Sequence, residues 1–551
     1  MIDRCRIRKA SIECDFLTGL TSYISIMYCS CFQQHDALGF EVLVVSPMTM
    51  IHSKHQGWLG LETEYGWLRE KKDFRDSGAV LDSVWELTKS KLPTKASWYG
   101  GYNKEQSVGF VLKNGARIYR DVSQIEYATP TVLGARRLIA AIRAGNEIVN
   151  SVSPNFVRNN IDPRSRDGDE FVEFGSHLNR QVSVDAYEKR ELMMPAFVAL
   201  QVLGGGGVVT PRYGPFRSGV SYAECGVFHI SARSPVMHDE FSVETMSNRA
   251  IITKRDEHHG DPKVGKRLHL AFRDALTGEV PEFLSIFFID IVCKGIEDGL
   301  FDDRESRKRL DYLKSSKGVI PIVQDMHAIA QKLGGWKMGA MTHKEMGDPI
   351  SVLSFYLDRC SAQYEKEADS WTQWAFVKCR EVLKALSKLT GEVDSLGISK
   401  DNYDDLIGLV EWVTAKASLD VFVKDLKIKE PTLGGDALLN YLISIDQDFH
   451  SVNRLKNIYI NERGQWELPR VVTDREIRFA AECPSLGRAR SHAVIARMAR
   501  KTDDPVVVDW KCCTIGRDHF ELGEPNNDDP ELRRRLVARL KQTKNDSISV
   551  T

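Results

Sequence analysis

Apolar and polar residues alternate along much of the first half of the chain. "WLGLETEYGW", "VGFVLKNGARIYRD", "GVFHISARS", "RAIITKRDE" and "KRLHLAFRD" each place apolar side chains on one face of an extended segment. That period predicts half-buried strands. Between the first two, "SGAVLDSVWELTKSKL" switches to helical spacing, with Ser77 placed to cap its start and Pro93 just past its end. Helical spacing returns in "TVLGARRLIAAIRAGNEIV", in "VPEFLSIFFIDIVCKGIEDGL" and from Ser351 to Leu389. The last hundred or so residues mix short strands and helices and end in the polar helix "DPELRRRLVARLKQTK". Strands first, long helices next and a small mixed module last predict an α+β protein. The run Gly204–Gly207 reads as a flexible turn: it lacks the Lys-Ser/Thr of a P-loop and the spacing of GxGxxG.

Composition narrows the classes. A chain of 551 residues suits one large domain or two to three ordinary ones, and 42% hydrophobic with 27% charged residues is an ordinary globular balance. A formal net charge of -1 gives no global case for nucleic acid or an anionic membrane as partner. The 11 cysteines form no CxxC pair, so neither a zinc ribbon nor a thioredoxin-like site is indicated, and a reducing cytoplasm is the simplest setting. No apolar run reaches the roughly 20 residues of a membrane helix. "FLTGLTSYISIMYCSCF" imitates a signal core but is broken by polar residues, with no small-x-small cleavage site after it. Residues 1–49 are therefore expected to be an extension from an upstream start codon, with Met48 or Met50 as the real start.

The chemistry lies on the polar strand faces. In "LGLETEYG", strand parity puts Leu59, Leu61, Thr63 and Tyr65 on one face and Gly60, Glu62 and Glu64 on the other. Two carboxylates on one face repel unless a cation sits between them; a hard divalent ion such as Mg²⁺ would serve, and so would plain solvation. In "NGARIYRDVSQIEYATP", Arg117, Tyr119 and Asp121 share a face, and Glu126, Thr129 and Pro130 follow closely. A cation, a phenol and a carboxylate together suit an anionic phosphate, its metal and a base; a salt-bridged exposed strand is the plainer alternative. "GVFHISARS" aligns His229, Ser231 and Arg233, and "KRLHLAFRD" aligns Arg267, His269 and Arg273. "ITKRDEHHGD" gathers Lys254, Arg255, Asp256, Glu257, His258 and His259 at a strand end. Any one of these faces has an ordinary structural reading. Five together predict a curved sheet whose concave face cradles a metal–nucleotide complex, which is what phosphoryl transfer needs.

These segments resemble the Pup ligase and depupylase (Dop) family, relatives of glutamine synthetase. "GLETEYG" and "NGARIYRD…EYATP" carry the likeness, followed in colinear order by "VRNNID", "EFGSH", "SARS", "IITKRDEHH", "KRLH", "VVTDREI…CPSLGRAR" and "VDWK". The resemblance implies a glutamine-synthetase-like catalytic domain over residues 50–450, with a curved, mainly antiparallel sheet packed by helices, and a small C-terminal α/β domain over 451–551. It implies ATP and Mg²⁺ as cofactors. Glu62, Tyr119 and Glu126 match the Mg²⁺ ligands, Arg117, Thr129 and Trp510 the ATP contacts, and Asp121 the catalytic aspartate. Glu64, His177 and His269 fall in active-site motifs and are assigned to the metal; Arg233 and Arg255 are assigned to the nucleotide.

The implied reaction moves the γ-phosphoryl group of ATP to a glutamate carboxylate on Pup or a Pup-like protein, and a lysine of a target protein then attacks it. The short connection through "KLPTKASWYGGYNKEQS" looks like the ligases, whereas the Asp121-to-Glu126 spacing looks like the depupylases. The chain also departs from both. Gln124-Ile125 replace the usual His-Pro, Leu178 replaces the glutamate of Gly-x-His-Glu-Asn, and "RDAL" at 273–276 replaces Gly-Asp-x-Asn. A ligase is the first reading. A depupylase-like amidase and a Pup-independent phosphatase or phosphotransferase are alternatives, and a non-catalytic ATP sensor ranks last.

Overall fold

The polar faces expected from strand parity meet on one sheet in the computed structural model of the protein. The structure describes residues 56–67, 77–91, 97–99, 108–121, 124–158, 161–162, 172–210, 228–243, 249–254, 261–308, 323, 325–326, 329, 348–392, 398–430, 432, 435–453, 468–482, 486–502 and 504–546. Arg255 and its neighbours through residue 260 lie outside the described residues, as does the extension expected over 1–49.

The strands run in chain order as β1 (Trp58–Trp67), β2 (Ser97–Tyr99), β3 (Val108–Val111), β4 (Arg117–Asp121), β5 (Gln124–Ala128), β6 (Val132–Leu133), β7 (Phe156–Val157), β8 (Ile161–Asp162) and β9 (Val172–Glu173). They continue as β10 (Ser176–Val182), β11 (Val208–Val209), β12 (Phe228–His229), β13 (Asp239–Ser242), β14 (Ala250–Thr253), β15 (Lys266–Leu270), β16 (Val506–Val508), β17 (Cys512–Ile515) and β18 (Asp518–Glu521). Among the described residues, 14 strands join one sheet in the order β13-β14-β15-β10-β1-β5-β4-β3-β2-β16-β17-β18, with β6 and β7 pairing to β1. Neighbours are antiparallel except β13 with β14 and β2 with β16. This is the expected α+β architecture with a mainly antiparallel sheet. The strands of the C-terminal module extend that same sheet, and residues 51–551 form one compact unit.

Hydrophobic packing sets which face each strand shows. Leu59 and Leu61 of β1 enter the main core with the helices Ala135–Val152 and Glu279–Glu297, which leaves Gly60, Glu62 and Glu64 to the other side. Ile118 and Tyr127 of the β4–β5 hairpin enter a second core, while Tyr119 and Ala128 face a third, built largely from the C-terminal module. The turn between β3 and β4 depends on Gly115, whose φ of 80° is cheap only without a Cβ. A Cβ there would also meet the Ala489 carbonyl oxygen at 2.5 Å.

The helix Glu279–Glu297 is buried over nearly its whole length, so each acid on it needs a partner. Glu279 accepts from the Val471 and Val472 backbone N–H groups at 2.9 and 3.1 Å. Glu282 takes Arg158 at 3.2 Å and Arg273 at 3.1 Å. Asp290 takes Arg180 at 2.8 Å and the Gly57 N–H at 3.1 Å, which fastens the entrance of β1 to the core. Breaking one such buried pair costs about 3–5 kcal/mol.

Four expectations are corrected. The helical stretch from 351 to 389 is two helices, Pro349–Tyr364 and Ser370–Leu386. Asp369 starts the second by accepting from the N–H groups of Trp371 and Thr372. "GVFHISARS" contributes only β12, paired with β11 outside the main sheet, and the chain then turns. Asp274 makes that turn: it accepts from the backbone N–H groups of Gly206, Ala232 and Arg233 and from the Ser231 hydroxyl, at 2.7–3.2 Å. Arg273 lies beyond the end of β15, held by Glu282 instead of sharing a strand face with His269. The glycine run is a close-packed strap and not a loose turn, since a Cβ on Gly205 would stand 2.1 Å from the Ile230 carbonyl oxygen. Among the described residues, no helix is long and apolar enough to cross a membrane.

Asp446 supports the strap from the helix Gly435–Phe449 by accepting from the Val209 N–H at 3.3 Å. Burial pushes its carboxyl up to about 7, against the pull of that N–H. The folded chain thus holds this proton more tightly than the unfolded chain. Its contribution to stability is present below the unfolded value near 4 and is lost as pH rises toward 7. Asp446→Asn is expected to remove that loss, worth up to about 4 kcal/mol. Urea unfolding should show the variant gaining on the parent between pH 4.5 and 7.5; a pH-independent difference would contradict the assignment.

Candidate active site

The strand register brings six of the expected residues into two clusters. Glu62 of β1 stands opposite His177 of β10, and Asn179 of β10 opposite His269 of β15. Glu64 of β1 stands opposite Glu126 of β5, which in turn faces Tyr119 of β4. Glu62, His177 and His269 can each offer a ligand atom within 4.8 Å of the others. Glu64, Asp121 and Glu126 can do the same. The first set mixes a carboxylate with two imidazoles; the second is all oxygen, which suits a hard divalent cation.

Electrostatics separates the acids. Burial alone would push Glu62 up, but Arg267 at 3.2 Å and the neighbouring His177 hold it below the usual carboxylate range. His177 and His269 approach the same carboxylate at 3.8 and 3.6 Å. Glu126 is pushed well above that range by burial and then by the charges of Glu62, Asp121 and Glu64. Tyr119 donates its hydroxyl to Glu126, and burial together with the surrounding acids pushes the phenol far up. Tyr119 therefore stands one hydrogen bond from the all-oxygen cluster. Glu64 accepts from Gln124 Nε2 at 2.8 Å and from the Gly175 N–H. Asp121 ends β4 and is the most exposed of the three acids, so an incoming group can reach it.

Beside the clusters opens a cleft with about 660 Å³ of space between its walls, open solvent included. Gly60, Leu61, Glu62, Thr129, Arg488 and Trp510 are among its lining residues. Glu62 is the link, since it lines the cleft and belongs to the first cluster. At the other side, the guanidinium of Arg117 lies 3.5 Å over the Trp510 ring. Such a contact is worth about 2 kcal/mol when desolvated. Burial, reinforced by Arg488, pulls Arg117 down to about 9. Thr129 Oγ1 accepts from the Leu61 N–H at 2.9 Å, fixing its side chain beside β1.

Arg233, expected at a nucleotide, spends its guanidinium on the carbonyls of Phe174 and Ala271 at 3.0–3.2 Å. It also sends its charge toward Glu64. Sequence reasoning did not select Arg267, Arg488 or Gln124 as site residues. Arg267 shares the polar face of β15 with His269, and that parity was the available signal. Gln124 shares the face of Glu126 on β5 by the same parity, whereas Arg488 carries no periodic signal of its own. Arg488 reaches the cleft only because its guanidinium is held by the Gly523 carbonyl at 2.6 Å, a contact 35 residues apart in the chain.

The fold is that of a known class. Over 90% of this chain and 95% of the other, it superimposes with a TM-score of 0.67 and 20% identity on the structure described as the complex between prokaryotic ubiquitin-like protein Pup and its ligase PafA. PafA in complex with ADP gives a TM-score of 0.62 at 19% identity, over 86% of this chain and 97% of that one. Residues 58–514 match the family model for Pup-ligase protein, and the chain belongs to that family. Its relatives include the Pup–protein ligase of Acidimicrobium ferrooxidans, 24% identical over 74% of this chain and 83% of the relative. The Pup–protein ligase of Corynebacterium aurimucosum is 23% identical over 86% of this chain and 94% of the relative.

The crowding around Glu126 has a measurable consequence. Glu126→Gln removes a buried acid that three neighbours push toward protonation. In the presence of a chelator the variant is expected to melt a few degrees above the parent, for a gain of about 1–2 kcal/mol. A lower melting temperature in chelator would show that Glu126 is not under this repulsion.

Proposed function

We propose that the chain is an ATP- and Mg²⁺-dependent ligase that joins a glutamate side-chain carboxylate of Pup, or of a Pup-like protein, to a lysine of a target protein. The observation that carries this reading is that Glu62 both lines the cleft and belongs to one of two neighbouring clusters that could hold a metal ion. The family membership and the names of the relatives point the same way.

In this reading, Arg117, Thr129 and Trp510 hold the nucleotide. Glu62, His177 and His269 form one metal centre, and Glu64 and Glu126 form the other, with Tyr119 at its edge. Bound Mg²⁺ would offset the charge of the transferring phosphoryl group. Arg233 supports Glu64, and Arg255 belongs to the nucleotide side by family likeness. A carboxylate is a poor electrophile, so its phosphorylation supplies a leaving group. The attacking lysine must be neutral, and Asp121, at the open end of β4, is placed to take its proton. The reaction is assigned to the cytoplasm, in keeping with the described cysteines being free thiols.

The test combines purified full-length chain, ATP, Mg²⁺, a small protein ending in Gly-Gly-Glu and a lysine-bearing target. A covalent conjugate is expected, and Asp121→Asn should lower its rate by roughly 10²–10⁴-fold. Phosphate release that ignores both proteins would favour the phosphatase alternative. Absence of ATP turnover under every condition would overturn the enzymatic reading.

Gly60 offers a cleaner test of the nucleotide cleft. A Cβ there would meet only Thr129 Oγ1, at 3.9 Å, so the strand tolerates a side chain that then projects into the cleft. Gly60→Leu is expected to weaken ADP binding at least tenfold in calorimetry while preserving the metal-free melting temperature. Unchanged ADP affinity would move the nucleotide elsewhere.

A further inference from the structure

We propose that Gln124 is a positioning residue that sets the metal affinity of the all-oxygen cluster. The proposal rests on the metal reading given above and adds a residue that the family resemblance does not assign.

Three observations converge on it. Gln124 opens β5 and pairs in register with Asp121 across the hairpin. It lies two residues before Glu126 on the same strand, hence on the same face. Its side chain crosses to β1 and donates from Nε2 to Glu64 Oε2 at 2.8 Å, although the residue is 92% buried by its 8% exposure. One residue thus fixes the relation of all three acids: two through the hairpin backbone, the third through its amide.

The chemistry of the donor matters. Glu64 Oε2 already receives the Gly175 N–H, and the second donor from Gln124 holds the carboxylate plane between two fixed N–H groups. A lysine at 124 would supply donors, but its charge would compete with a divalent ion for Glu64. A carboxylate would add a fourth negative charge to a cluster in which Glu126 is already crowded. An amide gives the hydrogen bond with no net charge, so the acids keep their full attraction for a cation. Partners of this kind orient a ligand before the ion arrives, and losing one typically lowers affinity by about 10–100-fold.

The experiment titrates Mn²⁺, as a paramagnetic stand-in for Mg²⁺, into nucleotide-free full-length protein and reads free Mn²⁺ by electron paramagnetic resonance. The parent is expected to bind at two sites. Gln124→Met keeps the shape but removes the donor, and should weaken one site about tenfold while leaving the other, at Glu62, His177 and His269, within about twofold. Both sites unchanged, or both weakened in parallel, would overturn the positioning role. Gln124→Leu carries the test if the methionine variant does not fold. It also removes the donor without adding a charge, so it too should weaken one site selectively; affinity at or above that of the parent would overturn the proposal. A parent chain that binds no Mn²⁺ would overturn the metal reading itself, an outcome distinct from any difference between variants.

Discussion

The structure depends on a concentration of like charge that the backbone cannot disperse. Glu62 and Glu64 share one face of β1, and the antiparallel register sets Glu126 opposite Glu64 while Asp121 ends the next strand. These acids are packed in a mostly buried wall, where repulsion is stronger than in water. Two means of relief are visible. Glu62 is relieved by a cation, Arg267, and by two imidazoles. The acids of the all-oxygen cluster receive neutral donors, Gln124, the Gly175 N–H and the Tyr119 hydroxyl, with Arg233 and Arg249 turned toward Glu64 from further off. Neutral donors orient the acids without cancelling their charge, and Glu126 remains crowded by its neighbours.

That arrangement survives because its other side is tightly specified. A strand slipped by one residue would turn the Glu62 side chain into the main core and the Leu61 side chain onto the polar face. Leu59 and Leu61, each 1% exposed, oppose such a slip. So does the Gly57 N–H on Asp290, which pins the strand's entrance to the buried helix behind it. The hydrophobic face thus serves the site by holding its polar face in register.

Much of this was legible in the chain. Period-2 alternation in "LGLETEYG" and "RIYRD" put the acids, Arg117 and Tyr119 on one side of their strands, because Leu59, Leu61 and Ile118 hold the other side in a core. The long helices were equally plain. Reading failed where a single distant polar partner overrides the local pattern. Asp274 gathers Ala232 and Arg233 into a turn and so ends a strand that alternation alone would continue. Glu282 draws Arg273 off the sheet in the same way. Asp369 splits one periodic helical stretch in two. The contributions of Gln124 and Arg488 were hidden for a related reason. Their roles arise from contacts across 60 and 35 residues, which no local spacing encodes.

The polarity of the cleft follows from where its walls come from. One side is β1 with Glu62, beside Ala128 of β5 and Arg267 of β15. The other is supplied by the C-terminal module, where Arg488 lines the wall and Trp510 covers Arg117. Burial lowers Arg117 and, to about 10, Arg488, so these guanidinium groups stay charged at neutral pH while lacking bulk water. His492, buried between the same two arginines, is driven well below its ordinary value and stays neutral, adding no third positive charge. The cleft therefore joins Arg488 and an indole, with Arg117 stacked behind that indole, to Glu62 and its partner Arg267. A ligand that satisfies both ends needs an aromatic group for Trp510 and anionic groups bridged by divalent ions to Glu62. A nucleotide has that order of groups. Because Arg488 and Trp510 come from the C-terminal module, the pairing of β16 with β2 holds part of the cleft's wall in place.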